Sequence, residues 1–332
     1  GLAIGFGASL FFQSVMGDSY GTATYGRMQG NDRLHASWTY AGLPMQITAE
    51  VEYGGGKQGV YASAEDRAVG IYVPGGLKNY LHLRGTIAVP LRFSGGSHLR
   101  LFQPSFSVTH YNTLLYRSAG NVLNTRVTFT DTGFTLTRGY QKYQASLWWS
   151  DNRRASTRCI VPRLGYAVRA DVTGAFNDRF GRLYSLYLRG YLPGLLRNHS
   201  FTIRAGAAYQ TEAELGFAQK PLFPRGAYNG WAAKYYGAAS VDYTFPVCYP
   251  DGGINGLIYF KRIWLNLFGD ASRGLYFADG GRTQGRNIWS YGGDIAFEVN
   301  VAGSTTPATV KFTLASPSNA DFYFGAGLSL SF

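Results

Sequence analysis

The last twelve residues, 321–332, read DFYFGAGLSLSF and alternate between two kinds of side chain. Apolar residues occupy every second position from Phe322 to Phe332, and small or polar residues lie between them. A period of two is typical of a strand with unlike faces, because successive side chains point to opposite sides. The apolar face would pack on a core in a soluble sheet, but would face lipid in a transmembrane barrel.

Composition favours the membrane alternative. Charged residues make up 15% of the 332 residues, below the roughly 25% of soluble globular chains. Aromatic residues make up 16%, and there are 44 glycines, yet the mean hydropathy is only −0.12. The sequence contains no run of about 18 apolar residues that would form a membrane-spanning helix. A barrel explains this combination because its apolar and polar residues alternate and cancel in any average.

The formal net charge of +12 does not predict nucleic-acid binding, because the basic residues are scattered along the alternating segments. We expect them to line a basic interior or rim. Cys159 and Cys248 lie far apart without a CxxC spacing, so no disulfide framework is expected. The five histidines have no ligand spacing, and no nucleophile is paired with a base. We therefore expect no metal, no cofactor and no enzymatic activity.

Alternating segments recur along the whole chain, and we count sixteen; residues 67–75 are either a seventeenth or a continuation into the segment at 80–93. The pattern predicts an all-β fold: a single transmembrane, antiparallel, up-and-down barrel over residues 1–332, with one long external loop folded inward. No signal peptide precedes the first segment, so we expect a mature chain or a fragment. The predicted strands lie near 2–13, 20–29, 32–41, 45–54, 80–93, 98–111, 123–136, 140–150, 159–174, 181–192, 197–212, 234–246, 255–270, 286–301, 307–315 and 322–332.

The first and last segments are expected to pair and close the barrel. Short connectors such as 30–31, 193–196 and 302–306 follow even-numbered segments, and the long connectors 213–233 and 271–285 follow odd-numbered ones. The long connector 55–79 does not obey this rule.

Charged residues fall on the polar face of most segments, as a membrane barrel requires, because a charge facing lipid at mid-depth costs roughly 2–4 kcal/mol. Lys261 is an exception, since it shares the parity of Ile263 and Leu265, and we expect it to reach toward the membrane interface. The arginines expected to face the interior are Arg163, Arg169, Arg189, Arg204 and Arg262.

The connector 213–233 has too many large apolar residues for an exposed loop, so we expect it to fold inward. These residues are Phe217, Leu222, Phe223, Tyr228 and Trp231. Pro224 and Gly226 flank Arg225, and they predict a turn that presents this arginine at its tip. Asp270 shares the inward parity of Arg262 and Phe268 and is the expected partner, because a carboxylate matches the guanidinium fork.

These residues resemble two elements of the Omp85 superfamily of sixteen-stranded outer-membrane barrels. That family has an Arg-Gly-Tyr/Phe tip on its sixth external loop, between strands eleven and twelve, and a Phe-x-Asp element on strand thirteen that receives the arginine. Arg225 and Gly226 match the tip, and Phe268 and Asp270 match the receiving element. The tip departs from the family pattern because an alanine separates Gly226 from Tyr228. The terminal Phe332 resembles the aromatic ending that outer-membrane assembly machinery recognises.

Two other stretches, 138–140 and 189–191, spell Arg-Gly-Tyr more literally, but neither lies in a long connector. The resemblance is specific over about 200–332, where five predicted strands follow the loop. Before that only strand number and pattern agree.

The resemblance implies an integral protein of the bacterial outer membrane that inserts or translocates proteins. Its expected partners are outer-membrane lipid, a client outer-membrane or secreted polypeptide, and accessory assembly subunits. The family's N-terminal periplasmic domains are expected to lie outside this chain. Two alternatives stay open: a passive pore that favours anions, and a membrane anchor for such a domain. Glycines are expected to weaken the seam between the first and last strands, namely Gly5, Gly7, Gly325 and Gly327.

Overall fold

The computed structural model describes most of the chain. The described ranges are 5–28, 31–55, 60–63, 69–71, 79–118, 134–153, 159–177, 180–211, 216–217, 219–227, 233–254, 258–277, 283–301 and 308–330.

Nineteen strands form the secondary structure of the described residues, and none of these residues belongs to a helix long and apolar enough to span a membrane. The strands are β1 (Gly5–Gln13), β2 (Ser19–Met28), β3 (Asn31–Tyr40), β4 (Gln46–Gly55), β5 (Val60–Ser63), β6 (Val69–Ile71), β7 (Asn79–Ala88), β8 (Leu91–Gly95), β9 (His98–Ser118), β10 (Phe134–Arg153), β11 (Gly165–Ala175), β12 (Leu183–Pro193), β13 (Ser200–Gln210), β14 (Ala233–Cys248), β15 (Gly252–Ile254), β16 (Ile258–Phe277), β17 (Thr283–Val301), β18 (Ala308–Pro317) and β19 (Tyr323–Leu330).

The strands form one antiparallel meander, as the sequence predicts. β7 and β8 both pair with β9 and make one interrupted row, and β14 and β15 do the same beside β16. β5 and β6 form a small hairpin, and β5 runs parallel to β9. Counted in this way, the described strands form fifteen rows, which fourteen antiparallel pairings join in chain order.

The predicted segments 123–136 and 140–150 are not separate strands where they are described. β10 runs without interruption from Phe134 and pairs with β9 along its length. Gly139 has φ +74 at a β-bulge between Arg138 and Tyr140, so the Arg-Gly pair kinks the strand where the sequence predicts a turn. Residues 123–133 lie outside the described ranges.

This continuous strand changes the numbering of the rows that follow. The long connector 211–232 follows the tenth row rather than the eleventh, and five rows follow it, as expected. The connectors 56–78, 119–133 and 211–232 now all join rows at the same edge of the sheet, which we call the long-connector side. The predicted exception at 55–79 therefore disappears. The predicted long connector 271–285 shortens to 278–282, because β16 and β17 extend into it.

The sheet has a buried polar face and an exposed apolar face. Ser240 is 1% exposed, Asp294 3% and Asp270 6%, whereas Leu267 is 54% exposed and Trp289 50%. This is the reverse of a soluble sheet and fits a sheet whose apolar face is covered by lipid. We call the polar face the inner face.

Lys261 is turned to the inner face by a β-bulge. Phe260 pairs with Val299 and Arg262 with Glu298, which leaves Lys261 as the extra residue between them. Its Nζ lies 2.9 Å from Oε1 of Glu298, a carboxylate of the inner face. The expectation that Lys261 reaches the membrane interface is therefore wrong, because the bulge breaks the alternation at this position.

The first and last rows run in the same direction, since an even number of antiparallel steps separates them. Gly5 and Gly7 pair with β2, and Gly325 and Gly327 pair with β18. No pairing between β1 and β19 is present among the described residues, and Phe332 lies outside them. The predicted closure of the sheet at this seam is accordingly not observed.

The inward and outward assignment predicts how β16 tolerates charge. Leu267 lies outward in the middle of the strand and Ile258 outward at its end. We expect Leu267→Arg to destabilise the protein folded in lipid vesicles by about 2–4 kcal/mol and Ile258→Arg by at most about 1 kcal/mol. Urea titrations in vesicles measure both values. Equal costs at the two positions would show that the face does not contact lipid.

Candidate functional site

The long connector between β13 and β14 packs against the inner face of the sheet. Phe217 stacks on Phe180 with ring centroids 5.4 Å apart. Tyr236 Oη donates a hydrogen bond of 2.8 Å to the carbonyl oxygen of Leu222. A Cβ at Gly206 of β13 would lie 2.9 Å from Cβ of Leu222, so only glycine allows this approach. We call the described residues 219–227 the inner loop.

Lys220 lies among three aromatic rings at the start of the inner loop. Its Nζ is 5.2 Å from the ring centroid of Phe223, 5.5 Å from that of Tyr276 and 5.8 Å from that of Tyr236. Burial lowers the pKa of Lys220 to about 8. Phe223 also packs against the buried cluster of Ala233, Tyr236 and Tyr276, which joins β14 to β16. The start of the loop is thus held by apolar contacts.

The tip of the inner loop is a tight turn at Pro224–Ala227. Ala227 N donates to the carbonyl oxygen of Pro224 at 3.3 Å, and Gly226 has φ +74. A Cβ at Gly226 would lie 2.7 Å from Cβ of Tyr323 and 3.3 Å from Cβ of Ala315. Glycine is therefore required both by the backbone angle and by the contact. Through this contact the tip touches β18 and the last strand, β19.

Arg225 and Asp270 make the contact that the sequence predicts. Arg225 Nε donates to Oδ2 of Asp270 at 2.8 Å, and Nη2 donates to Oδ1 at 2.8 Å. The backbone N–H of Arg225 also donates to Oδ2, at 3.0 Å. This bidentate pairing uses the planar fork of the guanidinium, and the third bond fixes the backbone beside it.

Further groups of the inner face surround Arg225. Nη1 donates to Oδ1 of Asp242 at 2.8 Å and lies 3.8 Å from Oδ2 of Asp294. Cζ lies 3.4 Å from the ring centroid of Phe268, so the guanidinium stacks on the aromatic face. Ser290 Oγ donates to the carbonyl oxygen of Arg225 at 2.7 Å. β14, β16 and β17 thus all hold this one residue.

The three aspartates are buried, and other basic residues help to neutralise them. Arg204 donates to Asp242 from β13, and Lys311 Nζ of β18 lies 3.9 Å from Asp294. Asn266 Nδ2 bridges Asp242 and Asp294 at 2.9 and 3.0 Å. Burial acts to lower the pKa of Arg225, but Asp270 and Asp242 outweigh it and hold that pKa above its usual value. Arg225 is therefore charged at every physiological pH.

The chain matches the crystal structure of BamA from Haemophilus ducreyi lacking POTRA domains 1–3, with a TM-score of 0.50 and 13% sequence identity. The match covers 99% of this chain and 69% of that one. The chain has the fold of the BamA barrel. Neither the scan against family models nor the search among curated proteins finds a match. The resemblance expected from the sequence is thus confirmed at the level of the fold alone.

The BamA-like sheet brings together more site residues than the sequence predicts. Sequence reasoning names only Asp270 as the partner of Arg225 and misses Asp242 and Asp294. The signal was inward parity: Ser240, Asp242 and Thr244 alternate with outward residues on β14. Strand register decides which inward carboxylates lie close to one arginine, and the alternation along each strand does not specify that register. Tyr228 and Trp231 lie outside the described residues.

The arginines expected in the interior are largely paired. Arg169 Nε donates to Asp171 at 2.8 Å, Arg204 bonds Asp242, and Arg262 bonds Glu298. Arg189 lies over the ring of Tyr191, with Cζ 5.6 Å from its centroid. Arg163 is exposed in the connector before β11, because this strand begins at Gly165 rather than at 159.

A polar cavity of about 390 Å³ is lined by residues of β3, β4, β7, β9, β10 and β11, none of which belongs to the Arg225 cluster. Glu50 and Arg84, 3.6 Å apart, line it together with His82, Lys142 and Gln219 of the inner loop. The loop therefore occupies one part of the interior of this BamA-like sheet and leaves another part open.

The Arg225 cluster predicts a selective effect of one carboxylate. Removing one partner of a buried ion pair costs about 3–5 kcal/mol, so we expect Asp270→Ala to destabilise docking of the inner loop by at least 3 kcal/mol. Hydrogen exchange of residues 219–227 should then accelerate by at least about a hundredfold. Asp171→Ala, which removes another inward carboxylate paired with an arginine, is the matched control and should leave this exchange unchanged. Equal exchange in both variants would contradict the assignment.

The Lys220 environment predicts a pH dependence. The docked loop holds the Lys220 proton less tightly than a free lysine, whose pKa is about 10.4, so docking should strengthen as pH rises from 8 toward 10. Protection factors of the inner loop should increase by up to about tenfold per pH unit in that window. Lys220→Met should remove this dependence. Protection that falls with pH in the wild type would show that the aromatic rings favour the cation more than burial penalises it.

Proposed function

We propose that this protein is an Omp85-type barrel of the bacterial outer membrane that inserts or translocates polypeptides. The proposal is supported chiefly by the docking of the inner loop. Its tip residue Arg225 is bound by Asp270 and Asp242, and the neighbouring Gly226 contacts the last strand. The BamA-like fold supports it. The apolar outer face supports a lipid environment, and the periplasmic domains expected from the resemblance remain a prediction.

The seam between β1 and β19 is the proposed place of action. Because these strands run in the same direction, one further strand between them would be antiparallel to both. A client segment in extended conformation fits such a place, since an open strand edge offers unpaired N–H and C=O groups. A Cβ at Gly327 would meet no atom within 4 Å, so side-chain packing at this edge is sparse.

The ion pair at the loop tip positions the loop in this proposal. A buried salt bridge adds little net stability, because desolvation offsets the attraction. The pair instead fixes the orientation of the loop tip. The guanidinium fork of Arg225 binds a carboxylate and stacks on a ring, and the backbone N–H of the same residue binds that carboxylate as well. The glycine beside it then contacts Tyr323, and the loop can report on or restrain the last strand.

The passive pore is less well supported. Anion preference requires uncompensated positive charge in the interior, and Arg169, Arg204 and Arg262 are each bonded to a carboxylate. The role of membrane anchor for another domain has no specific support among the described residues. Planar-bilayer recording distinguishes the pore: a large, steady, anion-selective current is its signature, and small, irregular openings are expected here.

Reconstitution tests the proposed activity directly. Liposomes that contain the purified protein are mixed with a small, urea-unfolded outer-membrane barrel protein, and its folding is followed by gel mobility. We expect folding to be accelerated about tenfold or more over empty liposomes, and Asp270→Ala to lose most of this acceleration while its own barrel stays folded.

Asp171→Ala is again the control and should retain the acceleration. Folding of the client barrel no faster than in empty liposomes would contradict the proposed activity. Full acceleration by Asp270→Ala would leave the activity but remove the role of the loop tip.

A further inference from the structure

A second inward segment lies at the opposite edge of the sheet, the short-connector side. It consists of residues 159–164, between β10 and β11, which the sequence predicts as the beginning of a strand. Arg262 Nη1 of β16 donates a hydrogen bond of 3.1 Å to the carbonyl oxygen of Cys159, across a separation of 103 positions in sequence. Cys159 Sγ lies 3.9 Å from Oδ1 of Asn198, in the turn between β12 and β13.

These contacts place the segment away from the wall. Four inter-strand steps separate β11 from β16 along the sheet, which amounts to roughly 19 Å at 4.8 Å a step. A residue that precedes β11 can touch β16 only by leaving its own position in the wall. The segment returns at Leu164, whose carbonyl oxygen accepts a bond of 2.9 Å from Arg153 N.

The receiving group is built by the β-bulge on β16. The bulge brings Lys261 and Arg262 to the same carboxylate, Glu298, which is buried on β17. Arg262 binds this carboxylate and also donates to the carbonyl oxygen of Cys159. The guanidinium suits this arrangement because Nε binds the carboxylate while Nη1 is free to donate elsewhere.

The two inward segments are held at different depths. Arg262 and Asp270 are eight positions apart on β16, or about 26 Å. The inner loop enters from the long-connector side, and residues 159–164 lie near the short-connector end of β16.

We propose that residues 159–164 form a strap that Arg262 pins across the short-connector mouth and that narrows this mouth. Within the strap, the side chains of Cys159, Ile160, Val161 and Pro162 are half-buried, and those of Arg163 and Leu164 are exposed. It differs from the inner loop in its anchor, which is a main-chain carbonyl, and it does not depend on the proposed insertion activity.

Thiol labelling tests the pin in the folded, detergent-solubilised protein. Cys248→Ser leaves Cys159 as the single cysteine, and its rate of modification by a maleimide measures how often the strap opens. Arg262→Ala should raise this rate about tenfold or more, the effect expected from loss of one charge-assisted hydrogen bond. Arg169→Ala removes another inward arginine, one that is paired with Asp171, and should leave the rate unchanged.

Arg262→Lys keeps the positive charge beside Glu298 but loses the fork, so it should also raise the rate, and it decides the test if Arg262→Ala does not fold. The proposal is overturned if both Arg262 variants label within about twofold of their parent, or if Arg169→Ala is accelerated equally. Single-channel recording then tests the narrowing: mean conductance should be higher in Arg262→Ala. Conductance equal to the parent value would overturn the claim about the mouth.

Discussion

The requirement that one face of every strand be apolar and the other polar governs this protein. It drives the charged and hydroxyl side chains to the inner face, and a charge that its neighbours bury there is costly when it is unpaired. Buried carboxylates such as Asp242, Asp270 and Asp294 therefore need cations close by. The sheet supplies Arg204 and Lys311, and the inner loop supplies Arg225. The inner loop therefore supplies one of the positive charges that neutralise the buried carboxylates of the sheet.

Arg225 meets this requirement with both its side chain and its backbone. Its guanidinium binds two aspartates and stacks on Phe268, its N–H binds Asp270, and its carbonyl oxygen accepts a bond from Ser290. Little freedom remains at the tip, so the position of the next residue, Gly226, is determined as well. That residue lies against Tyr323, which connects an electrostatic cluster in the wall to the strand at the seam.

The alternation fails at a few places, and those places are informative. Gly139 has a positive φ that allows β10 to continue through a kink, and the bulge at Lys261 turns a second cation toward Glu298. A bulge inserts one residue and reverses the parity beyond it, so a strict period of two misassigns the residue there. The first of these changed the strand count, and the second created the group that binds the segment 159–164.

The sequence by itself determined that the fold is an antiparallel all-β meander, the inward parity of most charges and the pairing of Arg225 with Asp270, because these depend on local alternation and on residue type. Only the tertiary structure decided how many rows the sheet has, that Asp242 and Asp294 join Asp270, that Lys220 lies among three rings, and that residues 159–164 cross to β16. The physical reason is that register and bulges are set by packing between strands distant in sequence, and that loop positions depend on contacts with several strands at once.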